Sequence, residues 1–356
     1  MRIYLDHAAT TPMTDAARAA VADAMGRWAN PSSPHAEGRG ARSALEQARG
    51  AIAAAYGWPG EVLFTSGATE SLALALGRCV AERRLILSVE HDAVIRAAAE
   101  ARRLPVRPDG VADDGALAAA MSEPGRALVA MQWANSETGV IQPVATLAGS
   151  VHAAGGLVLL DAAQMPAGAD PEAIAAADLV ALSAHKHGGP PGVGALLVRD
   201  LAVLTPSGGQ ERGYRPGTEN LLGAAGFAAA LAGPDDVSRL AALRARLDDA
   251  IVRSGGEVVA GVAKRHPAIG SYRMPGLASA AQLIRFDLAG IAVSAGSACA
   301  SGSMKPSHVL AAMGWSEEAS REVVRVSFGR TTTADEVEAF IAAWRDTARS
   351  GRRFAA

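Results

Sequence analysis

Lysine is almost missing from this chain. Lys186, Lys264 and Lys305 are the only three among 34 basic residues, which leaves 31 arginines. Cysteine is scarcer still, with Cys79 and Cys299 alone. Two cysteines exclude a disulfide framework and a four-cysteine zinc site. No apolar run approaches membrane-spanning length, so no membrane partner is expected. The opening "MRIYLDHAATTP" is interrupted by Asp6 and His7, which argues against a signal peptide and makes the cytoplasm the expected compartment. Long runs of like charge are lacking and the net charge is only -2, so nothing points to nucleic acid.

What is present fits a soluble globular protein. The 356 residues are 49% hydrophobic and 20% charged, enough for two domains and a large core. Between about residues 60 and 200, short apolar runs alternate with helical patterns. The runs are "VLFT", "LILSV", "ALVAM", "LVLL", "LVALS" and "ALLV". They lack polar alternation, as strands covered on both faces do. The pattern predicts an α/β fold with a mostly parallel sheet. In "ESLALALGRCVAERR", Leu72, Ala75, Leu76, Cys79 and Val80 fall on one helical face. Near "AGPDD" the organisation changes. A helical pattern over about 237–253 leads to "EVVA", "LIRFD", "IAVSAG" and "VVRVSF", which read as short strands. A last helix opens on "TADE", a capping box of Thr333 with Glu336. The expected division is a large domain over 13–235 and a smaller α+β domain from 1–12 and 236–356.

Ligands of open parallel sheets bind beyond the carboxyl ends of the strands. "SGATE" follows the first run, and its small residues leave backbone N–H groups free for a phosphate. Glu90-His91 follows the second run, Asn135 and Ser136 the third, and Asp161 with Gln164 the fourth. His185 and Lys186 follow the fifth. Arginine cannot form a Schiff base, whereas a lysine amine can, which gives the rare Lys186 a chemical reason. "HKH" without further ligands is a poor metal site, and no metal is expected. A phosphate cradle, an aromatic ring, a carboxylate and a lysine together fit pyridoxal 5'-phosphate.

These stretches also carry a family likeness. "YLDHAATTP", "NPSSPHAEGR", "FTSGATES", "VEHDAV", "ANSETGVIQP", "DAAQ", "SAHKHGGPPGVG", "GGQERGYRPGTEN", "SAGSACASG" and "VRVSFGRTTT" occur in order over nearly the whole chain. The chain resembles the cysteine desulfurases of the class V aminotransferase family, fold type I of the pyridoxal-phosphate enzymes. The resemblance implies a homodimer whose large domain holds a seven-stranded sheet with one antiparallel strand. It implies that Lys186 carries the cofactor, Asp161 pairs with the pyridine nitrogen, Gln164 meets the phenolic oxygen and His91 stacks on the ring. Ala68, Thr69, Ser183 and His185 would hold the phosphate, with Thr218 reaching the partner's site. Arg325, helped by Asn30, would grip the carboxylate of L-cysteine.

Cys79 reads as a core residue, whereas Cys299 lies in "SAGSACASGSMKP", a stretch of small residues suited to an exposed, mobile thiol. The resemblance makes Cys299 the nucleophile that takes sulfur as a persulfide while L-cysteine becomes L-alanine. His91 would move protons, and an acceptor protein or iron–sulfur scaffold would receive the sulfur for cluster or cofactor assembly. Sister reactions of the family, selenocysteine lysis and cysteine sulfinate desulfination, depend less on such a thiol. The chain departs from its relatives in three places. Ser136 stands where Asn is usual, with Asn135 one place earlier, so either can be the residue that meets the cofactor. Ala184 replaces a Gly, and Pro191 stands where Lys is common. Many relatives also continue past their last helix into a tail that helps dock a scaffold protein.

Overall fold

A computed structural model describes residues 2–233, 236–295 and 306–354. Its strands, in chain order, are β1 (Ile3–Tyr4), β2 (Glu61–Thr65), β3 (Arg83–Leu87), β4 (Arg102–Leu104), β5 (Ala127–Gln132) and β6 (Leu157–Asp161). They continue with β7 (Leu179–Ser183), β8 (Gly194–Val198), β9 (Glu257–Val258), β10 (Ile269–Arg273), β11 (Ile291–Ala292) and β12 (Val323–Ser327). Seven form one sheet in the order β2-β8-β7-β6-β5-β3-β4. Only β8 runs against its neighbours there. The fold is the α/β class with a seven-stranded, mostly parallel sheet that the apolar runs predict.

The runs lack alternation because both faces of this sheet are covered. In β7, Val180 and Leu182 join one apolar cluster while Leu179 and Ala181 join another on the opposite face. Val158 and Leu160 of β6 part from Leu157 and Leu159 in the same way. The valine and leucine side chains among them each contribute about 1.5–3 kcal/mol by leaving water. A third cluster joins Leu5, Leu247, Tyr272, Phe286, Val324, Phe340 and Trp344 around the three-stranded sheet β12-β10-β9. The N-terminal segment belongs to this region, since β1 pairs with β11 and Asp6 bridges to Ser327.

Capping residues set the helix ends. Thr333 and Glu336 exchange the two hydrogen bonds of a capping box, and the helix Ala334–Phe354 follows. Gly67 caps the helix Ala68–Arg78 without any side-chain bond, leaving its first turn open. Gly194 of β8 allows that turn to lie close, because a Cβ there would stand 2.6 Å from the Gly67 Cα.

Several expectations need correction. "LIRFD" is not a strand but lies inside the helix Ser279–Leu288, with Gln282 and Phe286 buried four residues apart and Ile284 and Leu288 exposed. The Ala68–Arg78 helix stops before Cys79; that thiol is buried, but Val80 is 50% exposed and leaves the apolar face. The short edge strand β4 and the central β10 were not expected. "IAVSAG" forms a strand only at Ile291–Ala292. Its last residue and the stretch with Cys299 lie outside the described residues.

Candidate active site

Five strands of the large sheet end on one cavity of about 420 Å³, within the range of small-molecule sites. Gly67, Ala68 and Thr69 line it after β2, His91 after β3 and Ser136 after β5. Asp161 and Gln164 follow from β6, and Ser183, His185 and Lys186 from β7. A second cavity of about 230 Å³ shares Ala9, His91, Ser136 and Lys186 with the first and adds Asn135, His308 and Arg325.

Each side chain is held for a local reason. His91 Nδ1 accepts from the Ala93 N–H at 3.1 Å and caps the helix that follows, so a neutral ring carries its proton on Nε2. Asp161 is buried, and its Oδ1 accepts from the Ala163 N–H at 3.0 Å. Burial raises the Asp161 pKa, against the lowering pull of that N–H and of the His91 and Lys186 charges. A cation placed beside it would restore its charge. Lys186 Nζ and Gln164 Nε2 both donate to the Ala8 carbonyl, the latter at 2.9 Å, so the N-terminal segment closes one side of the site. His185 meets the Thr10 hydroxyl at 3.1 Å through Nδ1. Burial, then the Lys186 charge, lowers its pKa to about 4, so the ring is neutral at pH 7.

The structure separates Asn135 from Ser136. Asn135 Oδ1 accepts from the Glu137 and Thr138 N–H groups and the Thr138 hydroxyl, while Nδ2 donates to the Val89 carbonyl at 3.0 Å and to Gln132. Its polar atoms build the turn, and Ser136 is the one that lines the main cavity. Arg325 is buried in β12. It donates to the Ser136 carbonyl at 2.9 Å and to Asp6 Oδ1 at 2.7 Å, and it faces the second cavity.

One expected residue is not brought in. Asn30 lies exposed in a turn, accepting from the Ser32 N–H at 2.9 Å, and lines neither cavity. Thr218, expected to serve a partner's site rather than this one, is exposed on a segment where Glu211 pairs with buried Arg49 at 2.7 Å and Arg215 with Glu70 at 3.0 Å. The expected nucleophile, Cys299, lies outside the described residues. Sequence reasoning missed Asp6, Gln132 and His308. Only His308 left a signal there, a histidine just after the Ser307 helix cap.

Comparison with known proteins decides the family. The class V aminotransferase family matches residues 3–340. This chain belongs to that family. It is 38% identical to a cysteine desulfurase of Cereibacter sphaeroides, over 95% of this chain and 93% of the relative. It is 39% identical to an IscS-like cysteine desulfurase of Mycobacterium tuberculosis, over 94% and 93%. A solved NifS-like protein from Rickettsia africae superposes with a TM-score of 0.87 at 28% identity, covering 97% of this chain and 99% of that one.

Members of the family use pyridoxal phosphate, and the residues here fit it. A Cβ on Gly67, whose φ is +153°, would meet nothing nearer than Ser183 Oγ at 4.0 Å, so the helix start and Ser183 leave a cradle between them. Buried Asp161 lacks a cationic hydrogen-bond partner among the described residues and suits a pyridinium N–H. The amine of Lys186 lines the same cavity.

Proposed function

We propose that this chain is a pyridoxal-phosphate-dependent cysteine desulfurase that converts L-cysteine to L-alanine and leaves the sulfur as a persulfide on Cys299. The reading rests above all on one cavity lined by Lys186, Asp161, His91, Ser183 and an open helix start. The names of the relatives agree with it.

Lys186 and Asp161 would hold the cofactor by its aldehyde carbon and ring nitrogen. The phosphate would lie on the N–H groups of Ala68 and Thr69, beside Ser183 and His185. When bound, the cofactor supplies an electron sink for the substrate Cα. The chain supplies the rest. Arg325 is the cation for the substrate carboxylate, and its planar fork suits that shape. Its present partner Asp6 holds the guanidinium at the cavity wall. Lys186 removes the Cα proton, and His91 moves a proton at the substrate through Nε2. Cys299 thiolate attacks the substrate sulfur; the S–S bond forms as the C–S bond breaks, and the carbon gains a proton. In sum, cysteine and a protein thiol give alanine and a protein persulfide.

The described flanks of the Cys299 segment support its reaching this cavity. Ser294 exchanges backbone hydrogen bonds with Arg325 at 3.2 and 2.7 Å. On the other side Ser307 donates to Glu137, and His308 Nε2 donates to the Glu90 carbonyl at 2.9 Å. We also propose that 13–235 and 1–12 with 236–356 act as two units, and that the protein works as a cytoplasmic homodimer in which Thr218 meets the partner's cofactor. Among the described residues no helix is long and apolar enough to cross a membrane. An acceptor or scaffold protein would take the sulfur for cluster assembly.

The test is incubation with L-cysteine and a reducing thiol, assaying alanine and sulfide together. Equal amounts of both are expected. Cys299→Ala should keep the cofactor's colour and lose sulfide release. Undiminished release by Cys299→Ala would remove the nucleophile assignment.

A further inference from the structure

Glu90 is a buried acid for which the proposed chemistry has no use. β3 ends at Leu87, while β5 runs on to Gln132. The Gln132 N–H therefore projects past the last β3 pairing, Ile86 with Ala130, and Glu90 Oε1 accepts it at 2.9 Å. The side chain stands where a strand would otherwise continue. Its residue is 0% exposed, and Oε2 has no hydrogen-bond partner among the described residues. Gln132 is also the register partner of Asp161 on the other side. Two carboxyls thus flank one residue, Glu90 fully buried and Asp161 nearly so.

They cannot both ionise cheaply. Lys186 and His91 act on Asp161 and favour its charge. Burial drives the Glu90 pKa well up, the Asp161 charge drives it further, and the Gln132 N–H alone opposes them. His308, Glu137 and Arg325 line the second cavity beside Glu90, and His308 binds its carbonyl rather than its carboxyl.

We propose that Glu90 is a positioning residue for Asp161: a carboxyl kept in its neutral acid form, so that the negative charge under the cofactor ring belongs to Asp161 alone. This rests on the reading of Asp161 as the ring-nitrogen partner. Glu90→Gln is the informative variant, because a glutamine still accepts from the Gln132 N–H and carries no charge at any pH.

The infrared spectrum of the full-length protein without cofactor, at pH 7, should show a protonated-carboxyl C=O band that Glu90→Gln removes. With cofactor, the pH titration of the absorption band should coincide in the parent and Glu90→Gln. Glu90→Ala, which strands the Gln132 N–H, should bind the cofactor about tenfold more weakly, and Glu90→Gln should restore the affinity. The proposal is overturned by absence of the acid band. It is overturned equally by a Glu90→Gln midpoint about one unit below the parent's, or by Glu90→Ala binding as the parent does. The first measurement needs no cofactor. A protein with the acid band that takes up no pyridoxal phosphate would refute the proposed function and leave the neutral acid standing.

Discussion

Five strands of the large sheet each end on residues that line the main cavity, whereas the three-stranded sheet sends Arg325 from the middle of β12. The two regions reach one site by different means. Parallel strands place their carboxyl ends side by side, so a functional group after each run converges without special contacts. Arg325 converges because the smaller sheet is held against the large one, through its bond to the Ser136 carbonyl, while Asp6 of its own region fixes the guanidinium. Lesions on the two sides should therefore differ in kind.

The largest effect is expected on the large-sheet side. Lys186→Ala should lower alanine formation by about 10³-fold or more, while the unfolding temperature stays near the parent's. Substantial activity without Lys186 would place the chemistry elsewhere. On the other side, Arg325→Lys keeps a charge and loses the fork. It should lower kcat/KM for L-cysteine by about 10²-fold, mainly through KM, with the cofactor's absorption unchanged. A loss confined to kcat would mean that Arg325 does not bind the carboxylate.

A pH experiment sharpens the contrast further. His187 lies buried behind Lys186, with Tyr56 and Met165 nearby. Burial, then the Arg330 charge, pushes its pKa to about 3. The unfolded chain binds this proton near pH 6.5, so it takes protons first as pH falls. The part of the stability that depends on His187 should be constant above about pH 6.5 and decline below it by up to a few kcal/mol towards pH 3. His185 adds to the decline, and the raised Asp161 and Glu90 carboxyls oppose it. Urea midpoints between pH 7 and pH 4, compared between the parent and His187→Gln, measure this, and the decline should be shallower in the variant. An equally steep decline in that variant would assign the protons to other groups. The smallest effect belongs to the small region. Thr333→Ala removes a helix cap far from the chemistry and should cost about 1 kcal/mol of stability, with kcat unchanged.

The same contrast explains what the sequence could reveal. The six apolar runs of the large sheet are buried on both faces, so their hydrophobicity marks them, and residues after five of them could be read as ligands. β4, "RRL", is a three-residue edge strand with two arginines and carries no such mark. β10, "IGSYR", mixes glycine, serine and arginine because its neighbours, not its own hydrophobicity, place it. "LIRFD" holds an aromatic and a branched residue, yet its burial follows a helical period that five residues are too few to display. Asn135 and Ser136 are both polar, and only the turn they build shows which side chain is consumed by it. Asp6 could not be foreseen, because its partner lies 319 residues away.

The central claim is that the amine of Lys186 binds pyridoxal phosphate covalently in the cavity where Asp161 lies. Borohydride reduction of the protein with its cofactor, followed by peptide mass mapping, tests it most directly. The account predicts one reduced pyridoxyl phosphate group on the peptide containing Lys186, and none on those containing Lys264 or Lys305. A label on either of those peptides, or no label on a protein saturated with the cofactor, would contradict it.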